Sequence, residues 1–285
     1  MTKVKTNVAL ILDRSGSMHT IAEEAVEGYN VHIRKFKENT EEQDVSICLV
    51  TFNSNVYEHY WLEDAKNVEE ARQADYNPNG TTALFDAMGY TIDKLVESTD
   101  TKDTNNAYLV ITISDGMNNA SKHYDCNGIS RLIHKWQDTK HWTFSFMGCS
   151  ERDLKEIEVK TGIPIANCAV WANDKGKACY AYARSADRVG AYMTHRLKAA
   201  HSGGTVGTST LYSDNSVQCA NFVDPGSGVV GISDAGHLWL DNSAADLKSI
   251  CNTTPPTMDC FAKSINYDPE NIGKNVFDGT AVIWK

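Results

Sequence analysis

The chain has 285 residues, with 27 Lys and Arg against 37 Asp and Glu, giving a formal net charge of −10 and an isoelectric point near 5.4. That length suits one main domain with an appendage, and the acidic balance argues against nucleic acid or an anionic membrane surface as the principal partner. No apolar stretch is long enough to span a bilayer, so membrane insertion is not expected.

The N-terminus, MTKVKTNVALIL, pairs a basic start with an apolar run, as a signal peptide does. The run is short, however, and continues into DRSGSM instead of a small-residue cleavage site. It reads as the first strand, and the expected location is the cytoplasm. Eight cysteines are scattered without a Cys-x-x-Cys pair, and nine histidines include no His-Glu-x-x-His. Reduced thiols are therefore expected, and zinc has no support.

Continuous apolar runs recur at 8–12, 45–52, 107–113, 142–148 and 163–171. Runs without polar alternation are characteristic of strands covered on both faces. Helical spacing between and after them places Ala22, Val26, Tyr29, Ile33 and Phe36 on one face, and Leu84, Met88, Ile92 and Leu95 on another. A third face carries Tyr182, Ala186, Val189, Met193 and Leu197. Strand then helix, repeated, predicts an α/β fold: a doubly wound, mostly parallel central sheet with helices on both faces. Residues 56–61 are the exception, because they follow Asn53-Ser54-Asn55, a link too short for a crossover. Only an antiparallel neighbour is possible there, at an edge of the sheet.

The composition changes near residue 200. The stretch 201–210, HSGGTVGTST, reads as a linker, and 211–285 has no arginine and one glutamate, with short apolar clusters such as NFV, GVVGI, HLWL and AVIW. The expected organisation is a main domain over 1–200, the linker, and a small β-rich or irregular extension over 211–285.

Oxygen side chains gather in three loops. The first is Asp13-Arg14-Ser15-Gly16-Ser17 after the first strand, the second Pro78-Asn79-Gly80-Thr81-Thr82 before a helix, and the third Ser114-Asp115-Gly116 after AYLVITI. In an open α/β sheet ligands sit beyond the carboxyl ends of the strands, where strand order reverses, so these loops can converge on one ion. Two carboxylates with several hydroxyls suit Mg²⁺, or Mn²⁺ in its place; calcium favours more carboxylate oxygens.

The segments DRSGS, GTTALFDAM and ISDG resemble, in order and spacing, the metal-ion-dependent adhesion site of von Willebrand factor type A domains, the fold shared with integrin I domains. The resemblance covers about residues 5 to 200. It implies that Asp13, Ser15, Ser17, Thr82 and Asp115 hold the metal, with Thr82 chosen over Thr81 because it aligns with the family's Thr-x-Leu helix start. It also implies metal-dependent binding of a protein partner that offers an Asp or Glu carboxylate. Arg14 departs from the small or apolar residue commoner at its position, and is expected to face an incoming ligand or solvent. Asn118, Asn119 and Ser121 read as loop and helix-cap chemistry beside the site.

A Mg²⁺-dependent hydrolase is the competing class, and the groups it needs are missing. Ser15 stands where a second acid or base would help Asp13, and neither a Gly-x-Ser-x-Gly elbow nor a phosphate-binding loop is present. The expectation is a non-enzymatic module. A structural or assembly component, with the metal only stapling loops, is the other alternative.

Overall fold

A computed structural model of the chain describes residues 4–170, 175–201, 211–212 and 276–284. In chain order the elements are β1 (Lys5–Asp13), α1 (Ala22–Glu38, entered through a 3₁₀ turn at Gly16–Ile21), β2 (Asp44–Phe52), β3 (Val56–Asp64) and α2 (Leu84–Ser98). Then follow β4 (Asn106–Ile113), α3 (Cys126–Gln137), β5 (Trp142–Gly148), α4 (Glu151–Thr161), β6 (Cys168–Val170), α5 (Lys175–His201) and β7 (Thr280–Ala281). The strands form one sheet of order β6-β5-β4-β1-β2-β3-β7. It is parallel from β6 to β2, and β3 runs antiparallel to both β2 and β7.

The uninterrupted apolar strands follow from burial on both faces. Along β1, Val8, Leu10 and Leu12 join the layer of α1 and α5, while Ala9 and Ile11 join that of α2, α3 and α4. Strand β4 divides in the same way, with Leu109, Ile111 and Ile113 on one side and Tyr108 and Val110 on the other. Each such side chain taken from water contributes about 1.5–3 kcal/mol, so the two central strands anchor both layers.

The predicted doubly wound sheet is present, and four elements differ from expectation. The run 163–171 yields only the strand Cys168–Val170, because Pro164 leads into a 3₁₀ turn at Ile165–Asn167; Trp171 lies outside the described residues. Helices α3 and α4 were not anticipated. They bury only Ile129, Ile133 and Trp136, and Leu154, Ile157 and Thr161, respectively. Strand β3 is antiparallel as predicted but is not outermost, since Tyr57 and Glu58 pair with Ala281 and Thr280 of β7.

Of the expected linker at 201–210, His201 closes α5 and 202–210 lie outside the described residues, as do 213–275 of the extension. What is described of the extension packs on the main domain. Leu211 and Tyr212 dock beside Ala166 and Asn167, and Val276 and Phe277 are buried in the α1 and α5 layer.

Candidate metal centre

Strands β1 and β4 lie side by side at the centre of the sheet, and the chain winds outward from β1 in both directions. The carboxyl ends of this pair are the topological switch point, and they deliver Asp13 and the loop Ser114-Asp115-Gly116 to one place.

The first loop folds around its own acid. Asp13 is fully buried; Ser15 N–H donates to its Oδ1 at 2.7 Å and Ser114 Oγ donates to its Oδ2 at 2.5 Å. Both oxygens are thus held and both keep further lone pairs. Ser15 Oγ lies 3.2 Å from Ser17 Oγ, which in turn donates to Asp115 Oδ1 at 2.8 Å. The line Asp13, Ser15, Ser17, Asp115 therefore runs from a fully buried carboxylate to a half-buried one, with Ser17 exposed at the rim.

The second loop is clamped onto the first and third. Gly16 N–H donates to Gly80 O at 3.0 Å, and Asn79 N–H to Arg14 O at 2.8 Å. Gly80 has φ +77°, where a side chain would be strained, and a Cβ there would also stand 2.8 Å from Ser54 Oγ. The two threonines diverge. Thr81 Oγ1 lies 2.8 Å from Ser54 Oγ, while Thr82 is buried with its Oγ1 3.8 Å from where a Cβ on Gly116 would stand. Thr82 thus borders the third loop without entering the hydrogen-bonded line.

Asn118, Asn119 and Ser121 do the capping expected of them, across space. Their oxygens accept from Phe85 N–H at 3.4 Å, Thr82 N–H at 2.8 Å and Asp86 N–H at 3.0 Å, satisfying the start of α2. The buried Asp86 returns the favour, accepting from the N–H groups of Lys122, His123 and Tyr124 at 2.8, 2.9 and 2.8 Å.

Burial pushes the Asp13 carboxyl up to about 6, against the bonds from Ser114 and Ser15 that favour the carboxylate, and the charge of Asp115 adds to the rise. Asp115 is raised as well, first by burial and also by Asp153. Two crowded acids in a partly dry place are stabilised by a cation. Among the described residues no group of three or more His, Cys, Asp or Glu side chains could hold a metal; the oxygens gathered here are two carboxylates with the hydroxyls of Ser15, Ser17 and Thr82 nearby. That donor set fits a hard divalent ion and not zinc.

Arg14 is half-buried, with its guanidinium 4.8 Å over the ring of the half-buried Tyr57. Two supporting residues had not been anticipated. Ser114 sits inside the recognised third loop, but its bond to Asp13 is long-range. Tyr76, whose hydroxyl donates to the main-chain oxygen of Asp13, carries no motif at all.

The family model of the von Willebrand factor type A domain matches residues 7–178. No curated protein matches the chain. Among solved structures it is similar to a von Willebrand factor type A protein from Catenulispora acidiphila, at 15% identity over 66% of this chain and 42% of that one, with a TM-score of 0.46. It is similar to the PilB minor pilin of Streptococcus sanguinis at 12% identity, covering 67% and 62% of the two chains, with a TM-score of 0.46. It also resembles the manganese-loaded TRAP protein of Plasmodium vivax at 16% identity, covering 62% and 72%, with a TM-score of 0.44. The chain spans less than half of the C. acidiphila protein and under two-thirds of the pilin.

Proposed function

The chain belongs to the von Willebrand factor type A domain family, and from that membership we propose that it is a metal-dependent protein-binding module. Asp13, Ser15, Ser17, Thr82 and Asp115 would hold Mg²⁺ or Mn²⁺, and a carboxylate of the partner protein would complete the centre. The observation that carries this reading is the line of oxygens from Asp13 to Asp115 at the switch point, buried at one end and open at the other.

The division of labour follows from burial. Asp13, held on both oxygens, keeps one orientation and places a negative charge at the floor. Ser17 and Asp115 form the rim that a partner can reach. A divalent ion would supply a positive charge that two carboxylates at most neutralise, which leaves an attraction for a third anion from outside. Neutral ligands at Ser15, Ser17 and Thr82 preserve that attraction, which an all-carboxylate cage would cancel.

Isothermal titration of Mg²⁺ and Mn²⁺ into wild type, Asp13→Ala and Asp115→Ala tests the ligand set. Wild type should bind and both variants should lose most of the affinity; equal binding in all three overturns the assignment. For the partner, capture from the native host with wild-type bait should require Mg²⁺ and fail with Asp13→Ala. A complex that persists unchanged in chelator would assign the metal a stapling role in an assembly component.

A further inference from the structure

We propose that residues 276–284 form a strap that positions the metal-site loops, with Phe277 and Trp284 as positioning residues, so that affinity for the ion depends on this segment being docked. The inference rests on the reading of the metal centre given above.

The strap wraps the β3 edge of the sheet from one face to the other. Val276 and Phe277 are buried in the layer of α1 and α5, β7 pairs with β3 at the rim, and Val282 and Trp284 pack against the layer of α2, α3 and α4. Gly279 permits the crossing: a Cβ there would stand 2.3 Å from His59 Nδ1 and 2.4 Å from Glu58 O.

Three of its residues land one or two contacts from the metal-site loops. The Phe277 ring packs 5.3 Å from that of Tyr76, and Tyr76 donates its hydroxyl to the main-chain oxygen of Asp13. Tyr29 and His59 close the same pocket, at 5.8 and 6.1 Å. Ala281 pairs with Tyr57, whose ring carries the guanidinium of Arg14, the neighbour of Asp13. Trp284 stacks on His123 at 4.0 Å and 12°. His123 belongs to the loop that runs on from Asp115; its N–H is tied to Asp86, and Asn119 of the same loop accepts from Thr82 N–H. The segment therefore bears on the first loop at two points and on the second and third at one.

A contact that only added stability would have no reason to favour these partners. Residues that orient metal ligands from behind change affinity by about tenfold or more when removed; Tyr76 stands in that relation to Asp13, and Asn119, in the loop of His123, to Thr82.

The test uses the full chain as Trp284→Ala, Phe277→Ala and Ile283→Ala, the last a control because Ile283 is 87% exposed on the same segment. Mg²⁺ affinity is measured by titration calorimetry, amide exchange over residues 117–124 is measured in chelator, and urea unfolding in chelator confirms that each variant folds. Trp284→Ala and Phe277→Ala should each bind Mg²⁺ about tenfold more weakly, with Ile283→Ala unchanged. Exchange at Lys122, His123 and Tyr124 should quicken in Trp284→Ala. Should Phe277→Ala not fold, Trp284→Ala decides alone. If wild type binds and the folded variants bind equally well with unaltered exchange, the strap is overturned while the metal reading stands. If wild type takes up no Mg²⁺, the metal reading falls, and the exchange measurement decides whether the segment positions these loops.

Discussion

His32 joins the two helices of one layer, and acid should loosen that joint. The side chain is fully buried on α1, with Nδ1 2.7 Å from Gly28 O and Nε2 3.0 Å from Ser185 Oγ on α5. A carbonyl only accepts, so Nδ1 carries the proton and Nε2 accepts from Ser185. The Tyr212 hydroxyl, 2.9 Å from both Ser185 Oγ and Ser145 Oγ, then donates to Ser185 and accepts from Ser145. Helices α1 and α5, strand β5 and the segment at 211–212 thus share one directed set of hydrogen bonds built on a neutral imidazole. Burial lowers the His32 pKa from 6.5 to about 4. The unfolded chain therefore takes up a proton before the folded one does, so the stability present above pH 6.5 is lost as pH falls and is gone by about pH 4. From pH 7 to pH 5 the loss is about 2 kcal/mol. His59, also lowered to about 4, acts in the same sense, whereas Asp13, raised to about 6, opposes it. The comparison that isolates His32 is urea unfolding of wild type and His32→Gln in chelator at pH 7, 6 and 5. Wild type should lose about 2 kcal/mol more than the variant across that range. A gap that stays constant, or that reverses, refutes the neutral buried imidazole.

Asp86→Ala removes the buried acceptor of three part-buried N–H groups and should cost about 1–3 kcal/mol in urea unfolding, with Asp86→Asn recovering part of it; a loss under about 0.5 kcal/mol would mean that the loop finds other partners. A protease site placed between Gly203 and Gly204 should give two fragments that co-elute after cleavage, because Leu211, Tyr212, Val276 and Phe277 are docked on the main domain; separate elution refutes that docking. Mg²⁺ at a hundred times its dissociation constant should raise the unfolding free energy of wild type by about 2.7 kcal/mol and that of Asp13→Ala by none, and equal gains would place the ion elsewhere.

The legible parts of the fold are those where burial leaves a local pattern. Parallel strands covered on both sides are apolar at most positions, with small buried polar residues such as Thr51, Thr112 and Ser145 among them, so β1, β2, β4 and β5 stand out as runs. Helix α4 does not, because ERDLKEIEVKT buries Leu154 and Ile157 but leaves Val159 84% exposed, and two buried apolar residues beside an exposed one define no face. The site divides in the same way. Its five oxygen side chains sit in short segments at element boundaries, where sequence spacing is also spatial spacing. Tyr76 and Ser114 reach Asp13 from 63 and 101 positions away; nothing local marks Tyr76, and Ser114, though inside the third loop, gives no local sign of its bond to Asp13. The final cluster AVIW could be seen as apolar, but a two-residue pairing with β3 leaves no alternation to read.

A cation next to the floor acid of the proposed cation site looks self-defeating, and Arg14 is such a cation. Its effect depends on where its charge is felt. The ionisation of Asp13 is governed by burial, by Ser114 and Ser15, and by Asp115. The charge of Arg14 acts instead on His59, which it helps keep neutral, and on Tyr76. The Tyr57 ring holds the guanidinium on the β3 side, where a cation over an aromatic face is stabilised without a carboxylate. Arg14 keeps two main-chain bonds to the neighbouring segments, to Phe52 at 2.7 Å and from Asn79 at 2.8 Å, so the loop is fixed through its backbone while the side chain leans away. The negative charge of Asp13 and Asp115 therefore stays available to an ion, and an arginine in place of a small residue is compatible with the proposed metal centre because β3 takes up its charge.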